Sequence, residues 1–351
     1  MKKVFCAILL TCILLSCLSL YSCSSGEQKY SDYTFDYFDT YTEVSGYAKS
    51  NEDFKKVFSE VLAQLEEYHK LFTIYDRYEG INNLLTVNEL HNGEHKAVKV
   101  DKKIIDMLLF SKEMYEKTDG NVNVAMGSVL SIWHTYREAG IKDKSKAALP
   151  NTEELQEAAS HTDINDLIID KEASTVFLSD PKMKLDVGAI AKGYAAEQIA
   201  KYLISQGITG YVLNIGGNVR AIGAHADGEP WLTGIENPSG DENAPYYNIL
   251  ELKGLSLVTS GSYQRFYTVN DKDYHHIISK DTLFPAEGYT SVSIVCESSA
   301  IADALSTALF CMSLNDGQAL IDNLDQTEAM WVKSNGDIIY SKGFSKHIKE
   351  T

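Results

Sequence analysis

Positive charge is scarce in this sequence: 32 Lys and Arg stand against 49 Asp and Glu, a formal net charge of -17. Such a surface argues against nucleic acid as a partner. Cysteine is scarce where it could cross-link, since four of the six lie within residues 6 to 23 and only Cys296 and Cys311 follow. Two cysteines do not make a disulfide framework. Cys311 falls in an apolar helical pattern and Cys296 in an apolar strand pattern, so both are expected to be buried free thiols. Prolines number six, and no proline-rich or low-complexity linker divides the chain. There is no internal repeat, and no GxGxxG follows a strand pattern, so the dinucleotide fingerprint of NAD sites is missing. What is plentiful is apolar content, 44% of 351 residues, enough for a sizeable core in one large domain or two.

The one long apolar run, Val4 to Leu20, follows Lys2 and Lys3 and gives way to small polar residues after Cys23. Residues 1–22 read as an export signal, although the run is also about the shortest that spans a bilayer as an uncleaved anchor. The junction "LYSC" at 20–23 resembles the lipobox of bacterial lipoproteins, with "LLSC" ending at Cys17 a weaker competitor. That resemblance implies cleavage before Cys23 and lipid on its thiol. The protein would then be exported and lipid-anchored to the outer face of the bacterial cytoplasmic membrane. Losing residues 1–22 removes two lysines and no acid, which moves the formal charge from -17 to -19. Residues 23–31 are expected to form a polar tether and residues 32–351 the folded domain.

Residues 34–48 are rich in β-branched and aromatic side chains and read as a strand or hairpin arm. Phe54, Val57, Phe58, Val61, Leu62 and Leu65 mark an amphipathic helix, and a second is expected over 102–117. A third starts at Asn151, where Asn151 and Glu154 have capping-box spacing. "LIIDKEASTVFLSD" reads as a hairpin, and "MKLDVG" as a strand feeding a helix over 189–207. The strands "YVLNIGG", "NVRAIGA", "WLTGIENP", "NILELKG", "LSLVTSG", "RFYTVND" and "YHHIIS" follow, then "SVSIVCE", a helix, and a hairpin turning at Asn335-Gly336. Without strict βαβ alternation, the class is α+β.

Some stretches set polar residues into this pattern in ways that carry chemistry. In "SSAIADALSTALFCM", 298–312, Asp303 and Thr307 stand four apart, so their oxygens leave one helical face together. They form either a hard-metal site or an ordinary helix start, with a serine cap, Asp303 near the dipole and Thr307 bonded one turn back. Taken alone, the stretch favours the second. In "LDVGAIAKGYA", 185–195, a strand is expected to end at Asp186, Gly188 to free the backbone and a helix to begin. Lys192 then sits where the helix dipole does not favour a cation; a bound phosphate would resolve the conflict, and a solvated lysine is the alternative. "LNIGGNVRAIG", 213–223, pairs Gly216 with Gly217, as a bulge or as a place where a flat ligand meets the backbone. "VTSGSYQRFY", 258–267, puts Thr259, Ser260 and Gly261 in an expected turn, with Arg265 after it, suited to phosphate or ribose or to local bonds. "YHHII", 274–278, alternates as strands do, which sends His275 and His276 to opposite faces. At most one of them serves a site.

In their order, and with "WLTGIENP" and "FPA" between them, these motifs resemble the ApbE family, the FAD:protein FMN transferases, from about Phe35 to Lys342. "YEGINNLLTVN" at 78–88 and "DGNVNVAMGSVLSIW" at 119–133 extend the likeness into the earlier half. The resemblance implies an α+β, ApbE-like (T-fold-like) architecture of mixed helices and mostly antiparallel sheet, with an FAD and Mg2+ site in a cleft. It implies Mg2+ held by Asp303, Thr307 and the backbone carbonyl carried onto Ala189, hard oxygen ligands of the kind magnesium prefers. It moves Lys192 to the FAD side, with Gly216, Gly217, Thr259, Ser260 and Gly261 as wall residues. Asn123, Met126, Gly127 and Trp133 come near the flavin end.

The implied reaction transfers the FMN phosphoryl unit of FAD to a Thr or Ser hydroxyl of another protein, with AMP leaving. It needs charge neutralisation, to which Lys192 contributes, and a base, for which His276 offers an imidazole ordinarily titrating near neutral pH. The partners implied are FAD and subunits of Rnf- or Nqr-type membrane electron-transfer complexes or secreted flavoproteins. The rival enzyme with the same ligands is a Mg2+-dependent FAD pyrophosphatase, and the rival of another class is a flavin-binding lipoprotein without chemistry. One loop departs from the family's pattern. "HHIISKDTLFP" carries Ser279, Lys280, Asp281 and Leu283 where many members carry Asp, Pro, Arg and Gly.

Overall fold

The structure is a computed structural model in which residues 26–350 are described; the expected export signal and Cys23 lie outside them. The chain opens with β1 (Gln28–Thr34), β2 (Thr42–Ala48), α1 (Asn51–Phe72), α2 (Leu84–Glu94), β3 (Val98–Lys99) and α3 (Lys102–Lys117). Its middle holds α4 (Gly127–Lys142), α5 (Thr152–Ala159), β4 (Leu167–Asp170), β5 (Thr175–Leu178) and α6 (Ala191–Ser205). The strands β6 (Tyr211–Ile215), β7 (Asn218–Ile222), β8 (Trp231–Glu236), β9 (Tyr246–Leu252), β10 (Ser256–Gly261), β11 (Phe266–Val269), β12 (Lys272–His275) and β13 (Tyr289–Cys296) follow. Helices α7 (Ser299–Cys311) and α8 (Leu314–Asp322) and the hairpin β14 (Glu328–Lys333) and β15 (Ile338–Tyr340) end it.

Eight strands make one sheet in the order β1-β2-β6-β7-β10-β13-β14-β15. Every adjacent pair in it is antiparallel, in keeping with the mostly antiparallel sheet that the resemblance implies. One face carries α1, α6 and α7 in the larger core cluster. On the other face, Trp231, Ile235, Leu250 and Leu252 of the β8–β9 hairpin pack onto Val219, Leu257, Val295 and Met330. Covered on both sides, β7 is buried at all five positions, Asn218 and Arg220 among them. The same layering explains the apolar character of α7. Wedged between sheet and α6, it buries residues around most of its circumference, Asp303 and Ser306 among them.

Several local expectations change. Residues 28–31, expected as tether, belong to β1, which pairs along its whole length with β2 and stacks Tyr30 on Phe54 at 5.8 Å. "MKLDVG" forms no strand; Lys184 makes a single bridge to Met126 and the chain then turns into α6. Gly216 and Gly217 are the two residues of the β6–β7 hairpin turn, not a bulge, with φ of 57° and 86°. Positive φ at both places is what a type I′ turn demands. Thr259, Ser260 and Gly261 are not a turn either: they end β10, opposite Ser293, Val292 and Ser291. The strand expected through Ser279 stops at His275, although the two histidines do part as expected. His275 packs edge-on against Phe310 with ring centroids 5.5 Å apart, while His276 turns toward the charges described below.

Candidate functional site

The centre of the site is the contact between α6 and α7. The N-cap of helix α6, Ile190, offers no capping side chain, so the helix's first N–H groups need partners from elsewhere. Asp303 supplies one from the other helix: its Oδ2 accepts the Gly193 N–H at 2.8 Å. The approach is close enough that a Cβ on Gly193 would lie 2.4 Å from both the Asp303 Cβ and the Ser299 carbonyl oxygen. Glycine is required there. Asn218, at the start of β7, also bonds the Asp303 carboxyl, and its own Oδ1 is buried without a partner. Burial pushes the Asp303 carboxyl above the usual carboxylate range, against the pull of Lys192, the Gly193 N–H and Asn218.

The ordinary reading of this helix holds for its cap and fails for the pair. Ser298 Oγ accepts the Ile301 N–H at 3.4 Å, but Asp303 caps the neighbouring helix, not its own. The hydroxyl that bonds one turn back is that of Ser306, to the Asp303 carbonyl at 2.9 Å. Thr307 Oγ1 instead lies 3.4 Å from Ser260 Oγ, which also meets Ser306 Oγ at 2.8 Å. Ser260 thus joins β10 to the Asp303–Thr307 face, and Thr259, pointing the other way, bonds Ser293 at 2.8 Å. The Ala189 carbonyl accepts no backbone hydrogen bond among the described residues. The carboxyl, the hydroxyl, the carbonyl and the unpartnered amide oxygen are hard oxygen donors, the chemistry that Mg2+ takes.

Beside this face lies a cluster of cations. Burial, and then the charges of Arg265, Lys192 and Arg137, hold the His276 imidazole down to about 3. The free protein therefore departs from the ordinary near-neutral titration, because burial first and then three facing cations disfavour the charged ring. Its backbone N–H and its Nδ1 both meet the Arg265 carbonyl, at 3.1 and 3.2 Å. A carbonyl only accepts, so Nδ1 carries the proton and Nε2 keeps a free lone pair. Arg265 also donates to the Asp39 carbonyl at 3.3 Å, and Arg137 to His134 Nδ1 at 2.9 Å. Neither Arg265 nor Lys192 has a carboxylate within ion-pair distance among the described residues. Cations gathered in this way are what a pyrophosphate would neutralise. Protein labelled in its histidine rings should therefore show His276 still neutral at pH 5 by NMR, and a pyrophosphate compound should raise its titration point. A midpoint near 6.5 without ligand would contradict this.

The residues expected at the flavin end frame the site but are occupied. Asn123 Nδ2 donates to the Thr162 carbonyl at 2.8 Å, and its Oδ1 accepts the Ala125 N–H at 2.9 Å. Gly127 presses against the Lys184 backbone, its N–H bonded to the Lys184 carbonyl at 3.0 Å. Met126 and Trp133 are buried in a separate apolar cluster. The Trp133 indole donates to the Leu283 carbonyl at 2.8 Å and meets Phe284 edge-on at 5.3 Å. Trp133 thus supports the departing loop, in which Leu283 adopts a φ of 60° and packs against the same apolar cluster. The Asp186 N–H bonds the Val124 carbonyl at 2.8 Å, tying this end to the turn before α6. Gly193, Asn218 and Arg137 were not anticipated. A small residue facing "ADAL" was the available signal for Gly193; nothing in the local pattern marks Arg137.

The pattern of the ApbE family matches residues 38–331. An FAD:protein FMN transferase of Klebsiella pneumoniae (strain 342) is 30% identical over 281 residues, covering 78% of this chain and 84% of its own. One of Treponema pallidum (strain Nichols) is 30% identical over 315 residues, covering 84% of each. Among solved structures, the ApbE protein of Thermotoga maritima is similar at a TM-score of 0.80 and 27% identity, over 92% of this chain and 100% of that one. The flavin transferase ApbE of Vibrio cholerae, at 24% identity and a TM-score of 0.74 over 92% and 99%, shares the fold.

Proposed function

Because the chain belongs to the ApbE family and is a transferase, we propose that it moves the FMN unit of FAD onto a threonine or serine hydroxyl of another protein, with Mg2+ and with release of AMP. The observation that carries this reading is the buried Asp303 carboxylate, placed between two helices with Lys192 at its side. Asp303, Thr307 and the Ala189 carbonyl would hold Mg2+, which when bound neutralises charge on the pyrophosphate. Lys192, Arg265 and Arg137 bind and orient the anion. The acceptor oxygen bonds to the FMN-side phosphorus, the bond from that phosphorus to the bridging oxygen breaks, and AMP carries the oxygen away. The hydroxyl proton passes to His276 Nε2, whose basicity rises once the pyrophosphate offsets the surrounding cations. The Arg265 carbonyl keeps the ring aimed throughout.

A lipid anchor on Cys23 would hold this chemistry at the outer face of the cytoplasmic membrane, where flavoprotein subunits of membrane electron-transfer complexes are the proposed acceptors. AMP release from FAD in the presence of acceptor, measured chromatographically, tests the metal requirement: chelation with EDTA should stop it and added Mg2+ restore it. Unchanged release in EDTA would reject the reading. Thr307→Val removes one neutral oxygen from a site that keeps its only carboxylate. It should lower turnover roughly 10-fold, with much of the loss recovered at high Mg2+; a loss that Mg2+ does not touch would separate Thr307 from the metal.

A further inference from the structure

Two carboxylates lie one helical turn apart at the α6–α7 contact, and they are served alike. Asp303 of α7 accepts a backbone N–H from α6, that of Gly193 at 2.8 Å, and a side-chain bond from Asn218 of β7. Glu197 of α6 accepts a backbone N–H from α7, that of Ser299 at 3.0 Å, and a side-chain bond from Arg220 of β7 at 3.1 Å. Gly193 and Glu197 are four apart on one helix, and Ser299 and Asp303 four apart on the other, so the two helices are cross-tied in antiparallel register. Asn218 and Arg220, two apart on β7, reach the two rungs from the same strand face. Arg220 is fixed in turn by the Ala221 and Gly254 carbonyls at 2.8 and 2.7 Å. The Glu197 and Arg220 side chains are each only 4% exposed.

We infer that Glu197, held by Arg220, is a positioning residue for the Asp303 carboxylate: it sets the rotation and height of α7 against α6, and so the place at which Asp303 meets a divalent cation. This rests on the reading of Asp303 as the metal carboxylate. A buried ion pair contributes little net stability compared with an apolar pair of the same shape, whereas outer partners that orient a ligand change metal affinity roughly 10- to 100-fold when lost. Here the pair's geometry is tied to the helix that carries the ligand.

The test is direct binding of Mn2+, a paramagnetic substitute for Mg2+, followed by electron paramagnetic resonance on the full chain without FAD. Glu197→Gln keeps an oxygen for the Ser299 N–H and removes the charge that Arg220 grips. It should weaken Mn2+ binding about 10-fold or more while turnover at saturating metal stays within about threefold of the parent. Phe344→Leu, in the core on the far face of the sheet, should lower the melting temperature without moving Mn2+ affinity. If Glu197→Gln does not fold, Arg220→Lys, which preserves the charge but not the two carbonyl bonds, should show the same selective loss of affinity. Parent-like Mn2+ affinity in the folded variant, or equal weakening in Phe344→Leu, would overturn the inference. Asp303→Asn separates the two levels: if it binds Mn2+ as the parent does, the metal reading fails and the inference falls with it.

Discussion

Asp303→Ala is expected to reduce FMN transfer and AMP release to below about a thousandth of the parent rate, since it removes the only carboxylate of the oxygen set. Stability is expected to move differently. Burial raises the Asp303 carboxyl above its unfolded value. Its contribution to folding is therefore fully present below about pH 4 and is lost as pH rises through the raised value. Above that range burial of the carboxyl costs the metal-free fold stability. Asp303→Asn, which keeps an oxygen for the Gly193 N–H, should then melt no lower than the parent without metal, yet show none of the parent's gain in melting temperature on adding Mg2+. Melting curves with and without Mg2+, alongside turnover, check both halves. An Asp303→Ala protein that releases AMP at the parent rate would return this residue to a structural role.

Gly193→Ala should be nearly as damaging through a different route. In a helix, alanine is better than glycine by about 1 kcal/mol, so propensity alone favours the change. Against it, the new methyl would meet the Asp303 Cβ and the Ser299 carbonyl oxygen at 2.4 Å, and neither belongs to a flexible side-chain end. Helices α6 and α7 would have to part, at a cost of about 3 kcal/mol, which outweighs the propensity gain. Thermal melting should show the loss, and transfer should fall by at least 100-fold because the carboxylate moves with α7. A variant of parent stability and activity would mean that the two helices slide freely at this point.

How much of this was legible in the sequence depended on range. The pair Asp303 and Thr307 was visible because helical spacing is local, and the stretches around Lys192, Ser260 and His276 were visible as motifs in order. Their relations were not. That Asp303 caps α6 instead of α7 depends on a contact across 110 residues, and the perturbation of His276 depends on burial by the fold and on Arg265, Lys192 and Arg137 being brought to one ring. Thr259 to Gly261 look like a turn because their residue types favour turns, but pairing with β13 overrides that preference. Likewise β1 is polar along much of its length and resembles a tether; one buried edge against β2 and a stacked Tyr30 make it a strand. The glycine pair was visible as a special backbone place, and its hairpin geometry followed only from the partner residues Ile215 and Asn218.

The central claim, covalent transfer of FMN to a protein, is tested most directly by the intact mass of the acceptor. A flavoprotein subunit of a membrane electron-transfer complex, prepared without flavin, is incubated with the enzyme, FAD and Mg2+, and AMP is quantified in the same sample. The expected result is an acceptor heavier by one FMN phosphoester, in step with the AMP formed, and no gain with Asp303→Ala. Free FMN accumulating in step with AMP, with the acceptor mass unchanged, would contradict transfer and leave a pyrophosphatase.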